Sequence, residues 1–130
     1  MRSRVTCDID LDKKGKKFGH IRMPYQRNIS AHGGIWTPIC TIKNGEGPTV
    51  LLTGGVHGDE YEGQIALRKL VHSVRSEQIS GCLIIIPSVN IGATMTATRL
   101  SSYDNLNLHG AFPGDANSMY PTQDLALTTE

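Results

Sequence analysis

The sequence predicts an α/β fold, a mixed β-sheet with flanking helices, preceded by a β-hairpin-rich segment. Three observations predict it. Residues 1–48 carry short, alternating apolar and polar runs broken by turn residues. Thr49–Thr53 and Cys82–Val89 are instead nearly continuous apolar runs, the pattern of strands covered on both faces. Between those runs lie a glycine loop and apolar residues at helical spacing. Strand, loop, helix and strand in that order make a β-α-β unit, which feeds a parallel pair. The chain therefore divides into a β-rich segment, residues 1–48, and an α/β unit, residues 49–130.

Taken in order, Val5, Cys7, Ile9 and Leu11 alternate with Thr6, Asp8 and Asp10 and predict a first strand. Lys13-Lys14-Gly15-Lys16-Lys17 reads as a solvated hairpin turn, because a glycine sits inside it and apolar residues flank it. Phe18–Met23 predicts a second strand stopped by Pro24, and residues 27–34 a loop. Ile35–Ile42 predicts a third strand, with Pro38 pushing it towards a sheet edge because proline cannot donate to the ladder. Asn44-Gly45-Glu46-Gly47-Pro48 is a turn by composition. Beyond the glycine loop, Ile65, Leu67, Leu70, Val71 and Val74 predict a helix, with Gly81 ending that element. Pro87 interrupts the strand that follows. Residues 91–130 contain several Gly, Pro, Asn, Ser and Thr, with little periodicity after Leu108, although residues 124–130 could start a helix. So long an irregular stretch is uncommon in a compact domain unless it is functional or incomplete.

Composition narrows the function. Thirteen basic and twelve acidic residues give a formal charge of +1, which favours neither nucleic acid nor an anionic membrane as partner. The longest apolar run is strand-sized, and no signal-peptide core follows Met1. Cys7, Cys40 and Cys82 form no C-x-x-C pair and leave one thiol over. That pattern predicts a cytoplasmic protein with buried free thiols rather than a disulfide framework.

The chemistry concentrates in Gly54-Gly55-Val56-His57-Gly58-Asp59-Glu60, where a buried strand runs into a helix. His57 and Glu60 stand three residues apart, so near one helical turn both side chains can reach one ion. Imidazole and carboxylate are both zinc ligands, and an open corner of such a site lets zinc acidify water and polarise a carbonyl. With five histidines the bare H-x-x-E spacing arises by chance in roughly one such chain in three, so the setting carries the weight. Two other readings stay open at this point. Asp59 and Glu60 would also suit a helix N-terminus. A glycine loop can hold an anion, although no lysine follows in P-loop spacing.

The string GGVHGDEYEG, residues 54–63, resembles the metal motif of the succinylglutamate desuccinylase/aspartoacylase family, relatives of zinc carboxypeptidases. The longer block NGEGPTVLLTGGVHGDEYEG is similar to family members. Ser30-Ala31-His32-Gly33 resembles the subgroup that deacetylates N-acetyl-diaminobutyrate in ectoine breakdown. Asn90, Arg99, Asn105-Leu106-Asn107 and Phe112-Pro113-Gly114-Asp115 follow in the family's motif order. The resemblance implies a zinc-carboxypeptidase-like fold, with zinc held by His57 and Glu60. It also implies an N-acyl amino acid held at Arg99 and Asn107, and hydrolysis of its amide bond. Asp59 is then expected to orient the loop or cap the helix, and Glu62 to lie on the helix face.

Two departures qualify that expectation. Where the family has an arginine after Asn107, this chain has Leu108-His109-Gly110-Ala111, and His109 reads as a solvent-facing loop residue. The family's third ligand, a histidine, and its catalytic glutamate come from segments later than Glu130. Residues 49–130 are thus expected to be the first part of a truncated domain. Such a domain exposes apolar surface through which copies could associate, and no catalytic residue is assigned in it. The alternative is a non-catalytic remnant or binding module that retains a partial metal site.

Overall fold

The computed structural model describes residues 4–26, 28 and 33–128. Among them five strands form one mixed sheet: β1 (Thr6–Cys7), β2 (Gly15–Pro24), β3 (Gly34–Asn44), β4 (Thr49–Thr53) and β5 (Gly81–Ile86), in the order β1-β2-β3-β5-β4. The first four strands of that order pair antiparallel, while β4 and β5 run parallel with Thr49 opposite Cys82 and Thr53 opposite Ile86. The crossover between the parallel strands carries helix α1 (Tyr61–Ser73) and a 3₁₀ turn at Ser76–Gln78. Helix α2 (Ile91–Thr96), a 3₁₀ turn at Leu108–Gly110 and helix α3 (Pro121–Thr128) follow. The expected mixed sheet and β-α-β unit are both present. The division at residues 48/49 falls between β3 and β4 of this one sheet.

Each face of the sheet carries its own core. Leu67, Leu70, Val71 and Val74 lie on one face of α1 and its end, at i, i+3, i+4 and i+7. They meet Cys40, Ile42, Leu52, Leu83 and Ile85 of the sheet. On the opposite face Ile21, Met23, Ile35, Ile39 and Ile86 pack with Val89, Leu108, Leu125 and Ala126. Burying each large aliphatic side chain is worth about 1.5–3 kcal/mol. Asp104 anchors α3 in this second core by accepting from Thr122 N at 2.8 Å and Thr122 Oγ1 at 2.7 Å. Arg4 pairs with buried Asp124 at 2.5 Å and ties the amino-terminal segment to the same helix.

Several elements depart from the sequence expectation for identifiable reasons. The first strand shrinks to Thr6–Cys7, because beyond it Asp10 turns the chain by accepting from Asp12 N at 3.0 Å. Lys16 and Lys17 belong to β2 rather than to a turn, and Lys16 Nζ donates to Val71 O at 2.6 Å. Helix α1 stops at Ser73 rather than running to Gly81: Val74 turns extended, and Val74 and Ile79 pack into the α1-side core. Helix α3 starts at Pro121, before the expected Asp124.

Pro38 does not place β3 at an edge. That strand is central, bonded to β2 along its length and to β5 over Cys40–Asn44. Opposite Pro38, His20 directs its N–H and carbonyl towards Asp8, away from β3. The missing proline N–H therefore lies on the β5 side, where β5 pairing has already ended. Conversely, the apolar β4 is not covered on both faces. It is one of the two edge strands among the described residues, with Val50 and Leu51 41% and 44% exposed. Cys40 and Cys82 are buried free thiols as expected, but Cys7 is exposed on the short β1. Burial pushes the Cys40 thiol up from its ordinary range, against the opposing charge of Lys16. No helix among the described residues is long and apolar enough to cross a membrane. Ser30, Ala31 and His32 lie outside the described residues.

Candidate metal centre

The candidate centre forms at the carboxyl ends of the parallel strands β4 and β5, the usual place for ligands in open α/β sheets. Two loops leave these strand ends and are sewn together. Gly54 N donates to Ile86 O at 3.0 Å, Val89 N to Gly54 O at 2.8 Å, and Asn90 N to Gly55 O at 3.1 Å. Gly55 sits at φ +69°, which a side chain would strain. Gly58 is pressed against α2 so closely that an added Cβ would stand 1.9 Å from Ala93 O. Its N–H donates to Thr98 O at 2.8 Å. This packing presents His57 and Glu60 on either side of a fixed backbone turn.

His57 is buried, with 7% of its surface exposed, whereas the Glu60 side chain is 62% exposed. His57 Nδ1 and Glu60 Oε1 stand 3.0 Å apart. Two ligands at about 2.0–2.2 Å on one tetrahedral zinc stand about 3.4 Å apart, so this pair is close to the required span. The other ring nitrogen, Nε2, lies 3.1 Å from Asn107 Oδ1. Asn107 Oδ1 also accepts from His109 N at 3.1 Å, which identifies that amide atom as the oxygen. Nε2 therefore carries a proton. Nδ1 faces the Glu60 carboxylate, where its lone pair and a carboxylate oxygen are the two donors a cation would meet.

Glu60 occupies the N-cap of α1 but makes no side-chain cap, because its carboxylate is turned to His57. Asp59, expected to orient the loop or cap the helix, does not occupy the N-cap, and Glu62 is exposed on the helix as expected. Arg99 Nη1 approaches Glu60 Oε1 at 3.6 Å, with both side chains more than half exposed, so the pair stabilises the fold little. The structure thus brings His57, Glu60, Arg99 and Asn107 into one neighbourhood. Among the described residues no third His, Cys, Asp or Glu joins a metal-holding group. Two donors fit zinc, and the set is incomplete.

Three residues take positions in the site that the sequence did not assign to them. Gln64 is buried and spans the loop, its Nε2 within 3.2–3.4 Å of the carbonyls of Glu60, Gly58 and His57. Its Oε1 accepts from Ser88 Oγ at 3.4 Å, tying the β4 loop to the β5 loop. Asn90 accepts from Ala93 N at 3.2 Å to cap α2 and donates to Val56 O at 3.3 Å. His109 is exposed as expected, yet its ring centroid lies 6.4 Å from that of His57. A polar residue at an inward helical position, as Gln64 is, was the available clue. Asn90 was marked only by its place in the family's motif order, and His109 was expected only to face solvent.

Comparison with known proteins gives consistent results. Residues 46–129 match the family model described as the succinylglutamate desuccinylase/aspartoacylase catalytic domain. The chain is 42% identical over 113 residues to the N-alpha-acetyl-L-2,4-diaminobutyric acid deacetylase of Halomonas elongata, a match covering 87% of the chain and 33% of that protein. Its fold superposes on the product-bound ectoine utilization protein EutE (DoeB) of Ruegeria pomeroyi with a TM-score of 0.93 at 40% identity. It superposes on a succinylglutamate desuccinylase/aspartoacylase of Rhodobacter sphaeroides with a TM-score of 0.91 at 49% identity. These matches cover 97% and 96% of the chain and 38% of each structure. The chain spans about a third of the length of these relatives.

Proposed function

Because the chain belongs to the succinylglutamate desuccinylase/aspartoacylase family, we propose that it carries part of the active site of a zinc-dependent hydrolase of N-acyl amino acid amides. The observation that carries this reading is the 3.0 Å approach of His57 Nδ1 to Glu60 Oε1 beside a ring nitrogen already tied to Asn107. Zinc bound there would supply a polarised carbonyl and a water acidified towards neutrality. His57 and Glu60 hold the ion. Arg99 stands beside Glu60 with its guanidinium more than half exposed, where it suits a carboxylate or the oxyanion of a tetrahedral intermediate. Asn107 supplies an amide N–H₂ for the substrate. The favoured substrate is an N-acetylated diamino acid, like that of the Halomonas relative.

Only two donors converge among the described residues. We therefore assign the chain by itself weak zinc binding and little or no turnover. The same observation favours, as a second reading, a non-catalytic remnant with a partial metal site. Titration of the chelator-treated chain with zinc tests the metal site that both readings share, and zinc-dependent release of acetate from N-acetyl-2,4-diaminobutyrate separates them. Binding of about one ion per chain with any zinc-dependent acetate release supports the first, binding without release supports the second, and absence of saturable binding overturns the metal site in both.

The bare edge of β4, with Val50 and Leu51 exposed, is the surface through which copies of the chain would associate. Sedimentation velocity is expected to show concentration-dependent association in the cytoplasm-like reducing buffer that its free thiols suit. A single monomer boundary at all concentrations would rule this out.

A further inference from the structure

We propose that Gln64 is a positioning residue for the metal loop: from within α1 its side-chain amide fixes the spacing of His57 and Glu60. The purpose of that spacing rests on the zinc reading; the hold on the loop follows from geometry. Gln64 lies in the first turn of α1 and is 6% exposed. Its Nε2 stands 3.4 Å from His57 O, 3.3 Å from Gly58 O and 3.2 Å from Glu60 O. Carbonyls only accept, so this amide atom is the nitrogen, and its two N–H groups are shared among the three. Oε1 then accepts from Ser88 Oγ at 3.4 Å, and Ser88 is fully buried. Gly55 closes over the stem: a Cβ there would meet Gln64 Cγ at 3.1 Å and Cδ at 3.2 Å.

Gly58 and Asp59 separate the two donors, and glycine has the freest backbone of any residue. A small rotation there would change the distance between the His57 and Glu60 side chains. Nε2 bridges the carbonyl before that point and the carbonyl after it, so one planar amide spans the softest residue of the loop. Glu60 does not supply this hold itself, since its carboxylate is turned to His57 and makes no cap hydrogen bond. The residue type suits the task. An ionised glutamate of the same length has no donor and would set its oxygens against carbonyls, and methionine has no strong donor or acceptor. Partners that orient metal ligands from outside contribute roughly 10–100-fold to metal affinity.

Amide hydrogen exchange of the metal-free chain, beside zinc titration of the folded protein, tests this with Gln64→Met and Ser88→Ala. In Gln64→Met the Gly58 N–H, bonded to Thr98 O, is expected to exchange faster. The Cys82 N–H, bonded to Pro48 O at the far end of β5, is expected to keep its wild-type rate. Zinc affinity is expected to fall roughly 10–100-fold. Ser88→Ala is expected to move both readouts the same way by less, and to add nothing in the Gln64→Met background. A merely structural role would speed both amides together and leave the zinc affinity of the folded chain unchanged. Either that pattern or an unchanged Gly58 rate in Gln64→Met overturns the proposal. If Gln64→Met fails to fold, Ser88→Ala decides, and wild-type behaviour of that variant overturns it. A wild type without zinc binding whose Gly58 amide is freed in Gln64→Met would uphold the hold on the loop while removing the zinc reading.

Discussion

Replacing His57 by alanine, or Glu60 by glutamine, is expected to abolish saturable zinc binding by this chain. The two donors face a common point, so either loss leaves one ligand on the ion. That costs more than the roughly 10–100-fold assigned to an outer partner. The substitutions differ in what else they disturb. His57 is buried and its ring occupies Asn107, so His57→Ala also opens a cavity and strips that amide of one donor. Glu60 is 62% exposed at its side chain and leaves no cavity, so Glu60→Gln removes the charge with little change in stability. Calorimetric titration with zinc beside a denaturant melt checks both. Retention of wild-type zinc affinity in Glu60→Gln would sink the metal assignment, whatever His57→Ala does to folding.

Gly58→Ala is expected to destabilise the chain and distort the site together. The new methyl would stand 1.9 Å from Ala93 O and 2.1 Å from Ala93 C, and these are backbone atoms that no rotamer change can move. Overpacking of this kind typically costs about 1–3 kcal/mol. Relief requires the loop to lift away from α2, carrying His57 and Glu60 with it and lengthening the Gly58 N to Thr98 O bond. Gly63→Ala is the matched control. It lies inside α1, meets nothing within 4 Å, and is expected to stabilise by about 0.5–1 kcal/mol through the better helix propensity of alanine. Urea midpoints of the two variants moving in opposite directions would bear this out. Equal midpoints would show that the loop tolerates a side chain at Gly58.

Sequence by itself determined those features whose cause is local. A continuous apolar run, a glycine loop, a helical stripe and a second run can assemble only as a β-α-β unit, and β4, α1 and β5 form one. The spacing of His57 and Glu60 placed both donors at the start of α1 for the same reason, since three residues at a strand-to-helix junction leave little conformational choice. The mixed character of the sheet followed from alternating runs in residues 1–48 and continuous ones after them.

Tertiary structure decided everything that depends on distant segments meeting. Asn107 reaches His57 across 50 residues, through a path set by α2 and the turns after it, and no periodicity records that encounter. Gln64 has the composition of a solvent-facing helix residue, and only the carbonyls crowding it from the β4 loop make it internal. The end of α1 likewise came from packing, where burying Val74 and Ile79 outweighed continued helix. Strand β4 makes the same point in reverse. Its apolar run signals burial, but whether a strand is covered is settled by its neighbours in the sheet, and β4 has only β5 among the described residues.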